Sequence, residues 1–178
     1  MTQEQAEKLR RKLDPGIQAV GVFVNAPEEM ILDLAGNQVI DLIQLHGGED
    51  VAYMSRVRKQ SGLPVIKAVS MTSPDAVGQI RMWEQTEVDY LLLDSGKGGT
   101  GEQFGYEVFR KTGKLAKPFF LAGGLSPENL ADVIRYFESE VALVSGNIPF
   151  AVDVSSGVEK DGVKNREKIT AAVAAVRQ

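Results

Sequence analysis

The chain contains no cysteine, and this absence excludes several kinds of chemistry at once. Without thiols there are no disulfide bonds, no thiolate ligands for a metal ion and no cysteine nucleophile. Histidine is almost as scarce, because His46 is the single example. Since zinc sites are built largely from cysteine and histidine, the sequence argues against a dedicated metal site.

Excess positive charge and long apolar segments are missing as well. The chain has 20 Lys and Arg against 24 Asp and Glu, a formal net charge of −4, so it lacks the basic surface that nucleic-acid binding requires. Its apolar runs are far shorter than the roughly 20 residues that span a bilayer. The polar start, Met1 to Lys12, is unlike a secretory signal. We therefore expect a cytoplasmic protein that binds neither nucleic acid nor membranes.

The composition that is present is that of a globular domain. The 178 residues are 43% hydrophobic and 25% charged, and we expect one domain over residues 1–178. Apolar, β-branched runs alternate with amphipathic helical segments at a spacing of about 25 residues, which predicts a parallel βα sheet. The predicted strands are Val20–Asn25, Leu42–Leu45, Pro64–Val69, Tyr90–Asp94, Phe119–Ala122 and Phe150–Val154.

Helix boundaries can be predicted from capping residues. Thr2 with Gln5 forms a capping-box pattern, and Ser126 precedes the helix that carries Leu130 as a predicted N-cap. The run Val20–Asn25 is apolar throughout and is typical of a strand that is buried on both faces. The helix positions predicted to face the core are Met30, Ile31, Leu34 and Ala35 in the second helix, and Ile169, Val173 and Val176 in the last one.

Periodicity alone does not choose between a barrel and a doubly wound open sheet. A complete eight-stranded barrel usually needs about 200 residues or more, and the six predicted strands are two short of it. Both architectures bind ligands at the carboxyl ends of their strands. The residues that follow each predicted strand are therefore the candidate site residues.

Glycine and serine follow the last two predicted strands. Gly123-Gly124 and Ser155-Ser156-Gly157 could expose backbone N–H groups that hold a phosphate, or they could be turn and cap residues only. Asp94 ends the fourth strand, where a carboxylate is suited to general acid catalysis or to capping a turn. Asp153 lies inside an apolar strand, so it needs a partner or faces a ligand.

A glycine-rich segment follows Asp94. In Lys97-Gly98-Gly99-Thr100-Gly101 the lysine precedes the glycines, so the segment does not match a nucleotide-binding P-loop. It is better interpreted as a mobile loop beside the strand-end carboxylate. His46 follows the second strand, and a lone histidine there is more often a hydrogen-bonded rim residue than a catalytic one.

Six motifs in chain order resemble phosphoribosylanthranilate isomerase, a (βα)8-barrel enzyme of tryptophan biosynthesis. They are Val20-Gly21-Val22-Phe23-Val24-Asn25, Gln44-Leu45-His46-Gly47, Leu92-Leu93-Asp94-Ser95, Gly98-Gly99-Thr100-Gly101, Leu121-Ala122-Gly123-Gly124-Leu125 and Asp153-Val154-Ser155-Ser156-Gly157-Val158-Glu159. The resemblance implies an Amadori rearrangement of N-(5′-phosphoribosyl)anthranilate to 1-(2-carboxyphenylamino)-1-deoxyribulose 5-phosphate, without a metal or an organic cofactor.

The resemblance also implies residue roles. Asp94 matches the general acid that protonates the furanose ring oxygen. Gly123, Gly124, Ser155, Ser156 and Gly157 match the phosphate site. Gln44, His46 and Asp153 match residues that line the pocket.

Two family motifs have no counterpart in this sequence. The family begins with a strand ending in Lys-(Ile/Val)-Cys-Gly-Leu, whose cysteine is the general base, and its second strand leads to a Ser-x-Arg segment that holds the anthranilate carboxylate. Thr2–Leu13 resembles the family's second helix, so we expect a chain truncated at its N-terminus, equivalent to strands 3–8. The segment Glu140–Asn147 is an additional departure from the family pattern.

Truncation has two expected consequences. Six strands do not close an eight-stranded barrel, so the apolar edges Val20–Asn25 and Phe150–Ser155 need a cover, either a second copy of the chain or a separate N-terminal fragment. Val141–Val144 folding over one edge is an alternative cover.

Without the base, the isolated chain is expected to be weakly active or inactive as an isomerase. The alternative is a non-catalytic phosphosugar-binding or scaffold protein on the same fold.

Overall fold

The main sheet contains six strands in sequential order. The computed structural model describes residues 1–96 and 107–177. Neighbours in the sheet follow chain order without reversal, and the pairs β1–β2, β2–β3 and β5–β6 are parallel. The strands are β1 (Val20–Phe23), β2 (Leu42–Leu45), β3 (Val65–Ser70), β4 (Tyr90–Asp94), β5 (Phe119–Ala122) and β6 (Ala151–Val152).

This order decides between the two architectures that periodicity left open. A doubly wound sheet reverses its strand order at a switch point, whereas a βα barrel adds each strand beside the previous one. The six strands follow the barrel pattern, which confirms the predicted incomplete βα barrel with six parallel strands. β1 and β6 are the two ends of the hydrogen-bonded order.

Eight α-helices accompany the sheet in the described residues. They are α1 (Gln3–Arg10), α2 (Glu28–Gly36), α3 (Val51–Ser61), α4 (Ala76–Glu84), α5 (Glu107–Thr112), α6 (Leu130–Tyr136), α7 (Ala142–Ser145) and α8 (Arg166–Val176). None of the helices within these described ranges has the length and hydropathy needed to traverse a bilayer.

The contacts of the chain define two compact units. The first contains Met1–Ala68 and Trp83–Leu91, and the second contains Val69–Met82 and Leu92–Gln178. In the first unit all four residues of β2 are buried, as expected for a central parallel strand. Thr2 and Gln5 form the predicted capping box at the start of α1, since each side chain bonds the other residue's backbone N–H.

Strand β1 departs from the prediction of burial on both faces. Phe23 is buried, but Val20 and Val22 are exposed, Val22 to 58%. The reason is that β1 pairs with β2 alone and forms an end of the sheet. The predicted inner position Met30 in α2 is also exposed, while its neighbour Ile31 is fully buried.

The core of the second unit is partly aromatic. The ring of Phe109 in α5 lies 5.4 Å from that of Phe119 in β5 and 5.2 Å from that of Phe137, measured between centroids. Phe137 begins a π-helical turn, Phe137–Val141, that joins α6 to α7. The apolar segment around Val141 is therefore helical, and α7 packs with α5.

Helix α8 does not bury the face that the sequence predicts. Ile169, Val173 and Val176 are each partly exposed, and Ala172 is the buried residue of the helix. These side chains line a groove of about 560 Å³ together with Val152 of β6 and, further along the chain, Val154 and Val158. The prediction was wrong because the apolar stripe of α8 faces an open groove rather than a filled core.

Two further boundaries differ from the prediction. Helix α6 begins after Asn129, and no side-chain hydrogen bond caps it, so Ser126 is not its N-cap. Ser126 instead accepts the Leu130 N–H through its backbone carbonyl and donates its own N–H to the Asn129 side chain. The sixth strand is shorter than the predicted Phe150–Val154, since only Ala151 and Val152 pair with β5.

Candidate active site

Asp94 lies at the carboxyl end of β4 and is half-buried. One carboxylate oxygen, Oδ1, accepts the Gly96 N–H at 2.8 Å, so the turn after the strand folds back onto the side chain. The Asp94 carbonyl accepts the Met71 N–H at 2.8 Å. The backbone that follows the Asp94 side chain is therefore fixed within the second unit.

Ser95 links the end of β4 to the end of β5. Its hydroxyl is 3.0 Å from the carbonyl of Ala122 and 3.1 Å from that of Gly123, and its N–H donates to Ala122. The side chain thus joins the turn that carries Asp94 to the glycine turn after β5. Ser95 belongs to one of the family motifs, but no role was predicted for its hydroxyl.

The Gly123-Gly124 turn requires glycine for two different reasons. Both residues have positive φ, 95° and 58°, which side chains rarely adopt. In addition, a Cβ at Gly123 would lie 2.7 Å from Asp94 Oδ1 and 2.6 Å from Ser95 Oγ. The Gly124 carbonyl accepts from Asn129 Nδ2 at 2.9 Å, which holds the turn from its other side.

The second predicted phosphate segment contacts the first. Ser156–Val158 is a short 3₁₀ helix, and a Cβ on Gly157 would collide with the carbonyl of Leu125, the residue that follows the Gly123-Gly124 turn. The two backbones approach so closely that only glycine fits at position 157. The structure thus brings these two turns together, as the phosphate-site prediction requires.

A cation that the sequence analysis missed lies beside Ser155. Lys164 Nζ donates to the Ser155 carbonyl at 2.9 Å, to its hydroxyl at 3.2 Å and to Glu159 Oε1 at 2.7 Å. Lys164 belongs to β8 (Val163–Lys164), which forms a hairpin with β7 (Glu159–Lys160). Lys164 reaches Ser155 because the β7–β8 hairpin turns the chain back. Nothing in the sequence around Ser155 or Lys164 predicts this contact.

Asp153 and the glycine-rich loop complete the predicted residues of the second unit. Asp153 is half-buried, and its N–H donates to the Leu121 carbonyl at 2.8 Å, which extends the β5–β6 pairing. The loop residues Gly98, Gly99, Thr100 and Gly101 lie outside the described residues.

Gln44 and His46 belong to the first unit and contact each other. The amide nitrogen of Gln44 is 3.0 Å from His46 Nδ1. Because an amide nitrogen only donates, Nδ1 is the acceptor in this contact, an arrangement that corresponds to the Nε2–H tautomer of the ring. The predicted hydrogen-bonded histidine after β2 is therefore present, with Gln44 as one partner.

A buried ion pair lies beneath the His46 loop. Glu49 and Lys67 are 2.9 Å apart, and their side chains are only 2% and 5% exposed. Burial by itself would raise the pKa of Glu49, but hydrogen bonds from Lys67 and from the backbone N–H of Asn25 outweigh it and hold the pKa below its usual value. Neither residue was predicted to belong to the site, although a lysine inside the apolar run Pro64–Val69 was a visible signal.

No group of three metal-ligating side chains occurs within residues 1–96 and 107–177. The candidate residues of the second unit are instead two carboxylates, Asp94 and Asp153, and glycine-rich turns. Parallel strands in sequential order, with such groups at their carboxyl ends, are typical of βα-barrel proteins, which bind small ligands at that edge.

The particular family follows from comparison with known proteins. The family model for N-(5′-phosphoribosyl)anthranilate (PRA) isomerase matches residues 1–175, and the chain belongs to this family of isomerases of tryptophan biosynthesis. The enzyme of Endomicrobium trichonymphae is 37% identical over 176 residues, which cover 97% of this chain and 78% of the relative.

Solved structures agree with this assignment. Phosphoribosyl anthranilate isomerase from Thermotoga maritima superposes with a TM-score of 0.77 at 30% identity, covering 99% of this chain and 81% of that one. A second structure, in complex with reduced 1-(o-carboxyphenylamino)-1-deoxyribulose 5-phosphate, has a TM-score of 0.75 at 29% identity, covering 99% and 80%. A third is described as mutually generated monomers of the dimeric Thermotoga maritima enzyme, with a TM-score of 0.73, 28% identity and coverage of 99% and 80%.

Proposed function

We propose that the chain binds the phosphorylated ribose or ribulose adduct of anthranilate, with Asp94 as the general acid for opening of the furanose ring. In this role the protonated carboxyl group gives its proton to the ring oxygen as the C1–O bond breaks. The observation that carries the proposal is the contact between Asp94 and the Gly123 turn. The contact supports the proposal because a carboxyl group there would lie beside the proposed phosphate turn.

The phosphate is proposed to bind at the two glycine-rich turns. Gly123 and Gly124 form one turn and Ser155–Gly157 the other, and Gly157 packs against the backbone that follows Gly124. Backbone N–H groups in such turns bind anions without competing side chains. The ammonium of Lys164 holds the Ser155 carbonyl and hydroxyl in place and pairs with Glu159, so it is proposed to brace this turn rather than to contact the phosphate.

The remaining roles are assigned by family. Gln44, His46 and Asp153 are proposed to contact the sugar and anthranilate portions of the ligand, and Gly98–Gly101 to form the mobile loop over them. Neither a metal nor an organic cofactor is needed for proton transfers of this kind. We also propose that residues 1–178 act as a single cytoplasmic domain.

The 178-residue chain by itself is proposed to be severely impaired in turnover. It contains no cysteine that could act as the family's general base, and no match to the Ser-x-Arg segment that holds the anthranilate carboxylate. Loss of a positioned base costs about 10²–10⁴-fold in rate. The phosphate-binding turns are present, so ligand binding is proposed to survive.

Exposed apolar side chains on β1 and in the groove beside α8 support the proposal of a binding partner. Val20 and Val22 on β1 are exposed, and so are Ile169, Val173 and Val176 of α8, which line the open groove beside β6. Unpaired strand edges and apolar grooves of this kind favour association. We propose that either a second copy of the chain or a complementing N-terminal fragment covers them.

A non-catalytic phosphosugar-binding or scaffold protein is the second candidate. The absence of cysteine favours it for the isolated chain, because no residue of the sequence matches the family's base. The half-buried Asp94 and the glycine turns are common to both proposals. Activity, rather than binding, therefore separates them.

Binding can be tested by titrating the chain with reduced 1-(o-carboxyphenylamino)-1-deoxyribulose 5-phosphate in a calorimeter. Saturable binding is expected, and Gly124→Glu should abolish it by placing a carboxylate in the phosphate turn. The control is Gly113→Glu in the same unit, at a comparable φ of 66° with open space around the site. No binding to the unmodified chain would overturn the proposal.

Activity can be followed through the fluorescence of the anthranilate adduct. The chain alone is expected to be at least about 10²-fold slower than a complete family member. Adding a peptide with the family's first two strands should restore turnover if the chain is an isomerase completed by a partner, and Asp94→Asn should then remove it. Ligand binding without any restored turnover would favour the non-catalytic alternative.

A further inference from the structure

Hydrogen bonds connect the Glu49–Lys67 pair to the backbone that follows two neighbouring strands, β1 and β2. Glu49 Oε1 accepts the Asn25 N–H at 2.7 Å, directly after β1. Its other oxygen, Oε2, accepts the Gly47 N–H at 2.9 Å, after β2, and Lys67 Nζ of β3 at 2.9 Å. One carboxylate thus holds the backbone that follows β1 and β2, and the Lys67 side chain links it to β3.

Lys67 has no donor left for a ligand. Its ammonium donates to Glu49, to the Gly47 carbonyl at 2.7 Å and to the Leu45 carbonyl at 3.4 Å. An ammonium group has three N–H donors, and all three are used. The Trp83 ring lies 5.6 Å from Nζ and adds a cation–π contact. Lys67 is therefore suited to hold the backbone and not to touch substrate.

The backbone that Glu49 and Lys67 hold belongs to the segment that carries His46. Both backbone polar groups of Gly47 are held by the pair, and the His46 N–H donates to the Phe23 carbonyl at 2.8 Å. Asn25 packs so closely that a Cβ on Gly47 would lie 2.8 Å from its backbone nitrogen. The backbone on each side of the imidazole is thus tied to a neighbouring strand.

The location of the pair also distinguishes it from a second ion pair of the first unit, Arg58–Asp89. Arg58 donates to both oxygens of Asp89, at 2.9 and 2.8 Å, and Asp89 also accepts the N–H of Val65 at 2.8 Å. Val65 is the first residue of β3, so this pair holds the amino end of a strand. Glu49 and Lys67 hold the carboxyl ends, where ligands of βα barrels bind.

We propose that Glu49 and Lys67 are positioning residues that fix His46 and its Nε2-protonated tautomer for ligand recognition. The inference rests on the proposed function, which places His46 in the ligand pocket. The pair acts through Gly47: it fixes the backbone next to His46, which keeps Nδ1 on the Gln44 amide. Misplacement of a recognition group by about 1 Å costs up to roughly 10²-fold.

The test uses the fact that His46 is the only histidine, so the ¹⁵N-labelled chain gives a single imidazole signal set. The unmodified chain is expected to show the Nε2–H tautomer. Glu49→Gln and Lys67→Met should shift or broaden these signals and weaken binding of the reduced deoxyribulose phosphate analogue by roughly ten-fold or more. Lys67→Arg, which keeps the charge and donors, should restore part of both.

Asp89→Asn is the matched control. It breaks the other ion pair and should lower stability, but it should leave the His46 signals and the affinity unchanged. If Asp89→Asn alters the His46 signals as much as Glu49→Gln does, the pair has only a general structural role and the inference is wrong. Unchanged His46 signals in a folded Glu49→Gln chain would also overturn it.

A measurement on the unmodified chain covers the case in which the variants do not fold. The amide protons of Asn25 and Gly47 should be strongly protected from hydrogen exchange, because both are bound to the buried Glu49 carboxylate. Rapid exchange of either would overturn the inference. If the analogue fails to bind the unmodified chain but the tautomer and protection are as expected, the proposed function fails and the positioning pair stands.

Discussion

Asp94 lies directly against Gly123: a methyl group on the Gly123 Cα would sit 2.7 Å from the carboxylate oxygen Oδ1. The two residues end neighbouring strands, β4 and β5, and Ser95 joins their turns through two hydrogen bonds. The proposed acid and the proposed phosphate turn are therefore one structural element. A change in either is expected to displace the other.

Gly123→Ala is expected to destabilise the chain by about 2–5 kcal/mol, because overpacking adds to the cost of a side chain at positive φ. Urea unfolding measures the loss, and calorimetry with the phosphate analogue should show weaker binding. Gly113→Ala is the control, since its φ of 66° is also positive but nothing lies within 4 Å. It should cost only about 1–2 kcal/mol and leave binding intact.

Gly157→Ala tests the contact between the two glycine-rich turns. The new Cβ meets the Leu125 carbonyl, so the turns must separate, and we expect a loss of about 1–3 kcal/mol together with weaker phosphate binding. Gly36→Ala, at the end of α2 with open space around it, should be neutral or stabilising by up to about 1 kcal/mol. Equal effects of the two substitutions would contradict the close-approach interpretation.

The stability that Glu49 contributes should decrease as the pH is lowered. Its pKa is below the ordinary value of 4.5, so the ionised form stabilises the fold above that pH, and the contribution falls as the pH drops through the folded-state pKa. At pH 7, Glu49→Gln should cost about 3 kcal/mol, because it leaves Lys67 buried without its partner. Denaturant titrations between pH 7 and pH 3 should show the difference shrinking.

Glu4→Gln provides the comparison, because Glu4 pairs with Lys8 on an exposed helix surface. Exposed pairs contribute little, so this change should alter the unfolding free energy by less than about 1 kcal/mol at pH 7. A Glu49→Gln effect that grows as the pH falls would contradict the assignment of the pKa direction.

Asn147 gives the Glu140–Asn147 segment a structural role. The buried side chain accepts the Leu115 N–H at 2.8 Å and donates to the Gly113 carbonyl at 2.7 Å, so it holds the loop before β5. Asn147→Ala leaves these groups unpaired and should cost about 1–3 kcal/mol. Leu143→Ala, at a residue 83% exposed in the same segment, should change thermal unfolding very little.

Val173→Glu tests the groove beside α8 as a contact surface. If a second copy covers it, the charge should weaken self-association in sedimentation by at least about ten-fold, since an unpaired charge would be buried. Met82→Glu is a matched control, because Met82 and Val173 are both 44% exposed and Met82 lies outside the groove. Equal sedimentation of both variants and the parent chain would exclude this surface from the contact.

Local sequence patterns predicted most of the secondary structure. The runs around Leu42–Leu45 and Tyr90–Asp94 are strands as expected, because each carries enough apolar side chains to be buried wherever the sheet places it. The Thr2 cap was equally predictable, since both partners lie within one turn. The role of Ser126 was not predictable. The helix begins only after Asn129, whose side chain accepts the N–H of Ser126.

The sequence by itself determined the alternation of strands and helices and the family motifs, Asp94 and the glycine turns among them. Only the tertiary structure decided which groups meet: Gly157 with Leu125, Lys67 with Glu49, and Asn147 with Leu115. It also decided that Val22 and Val173 are exposed. The physical reason is that propensity and periodicity act over a few neighbouring residues, whereas burial and ion pairing depend on segments that only the folded sheet brings together.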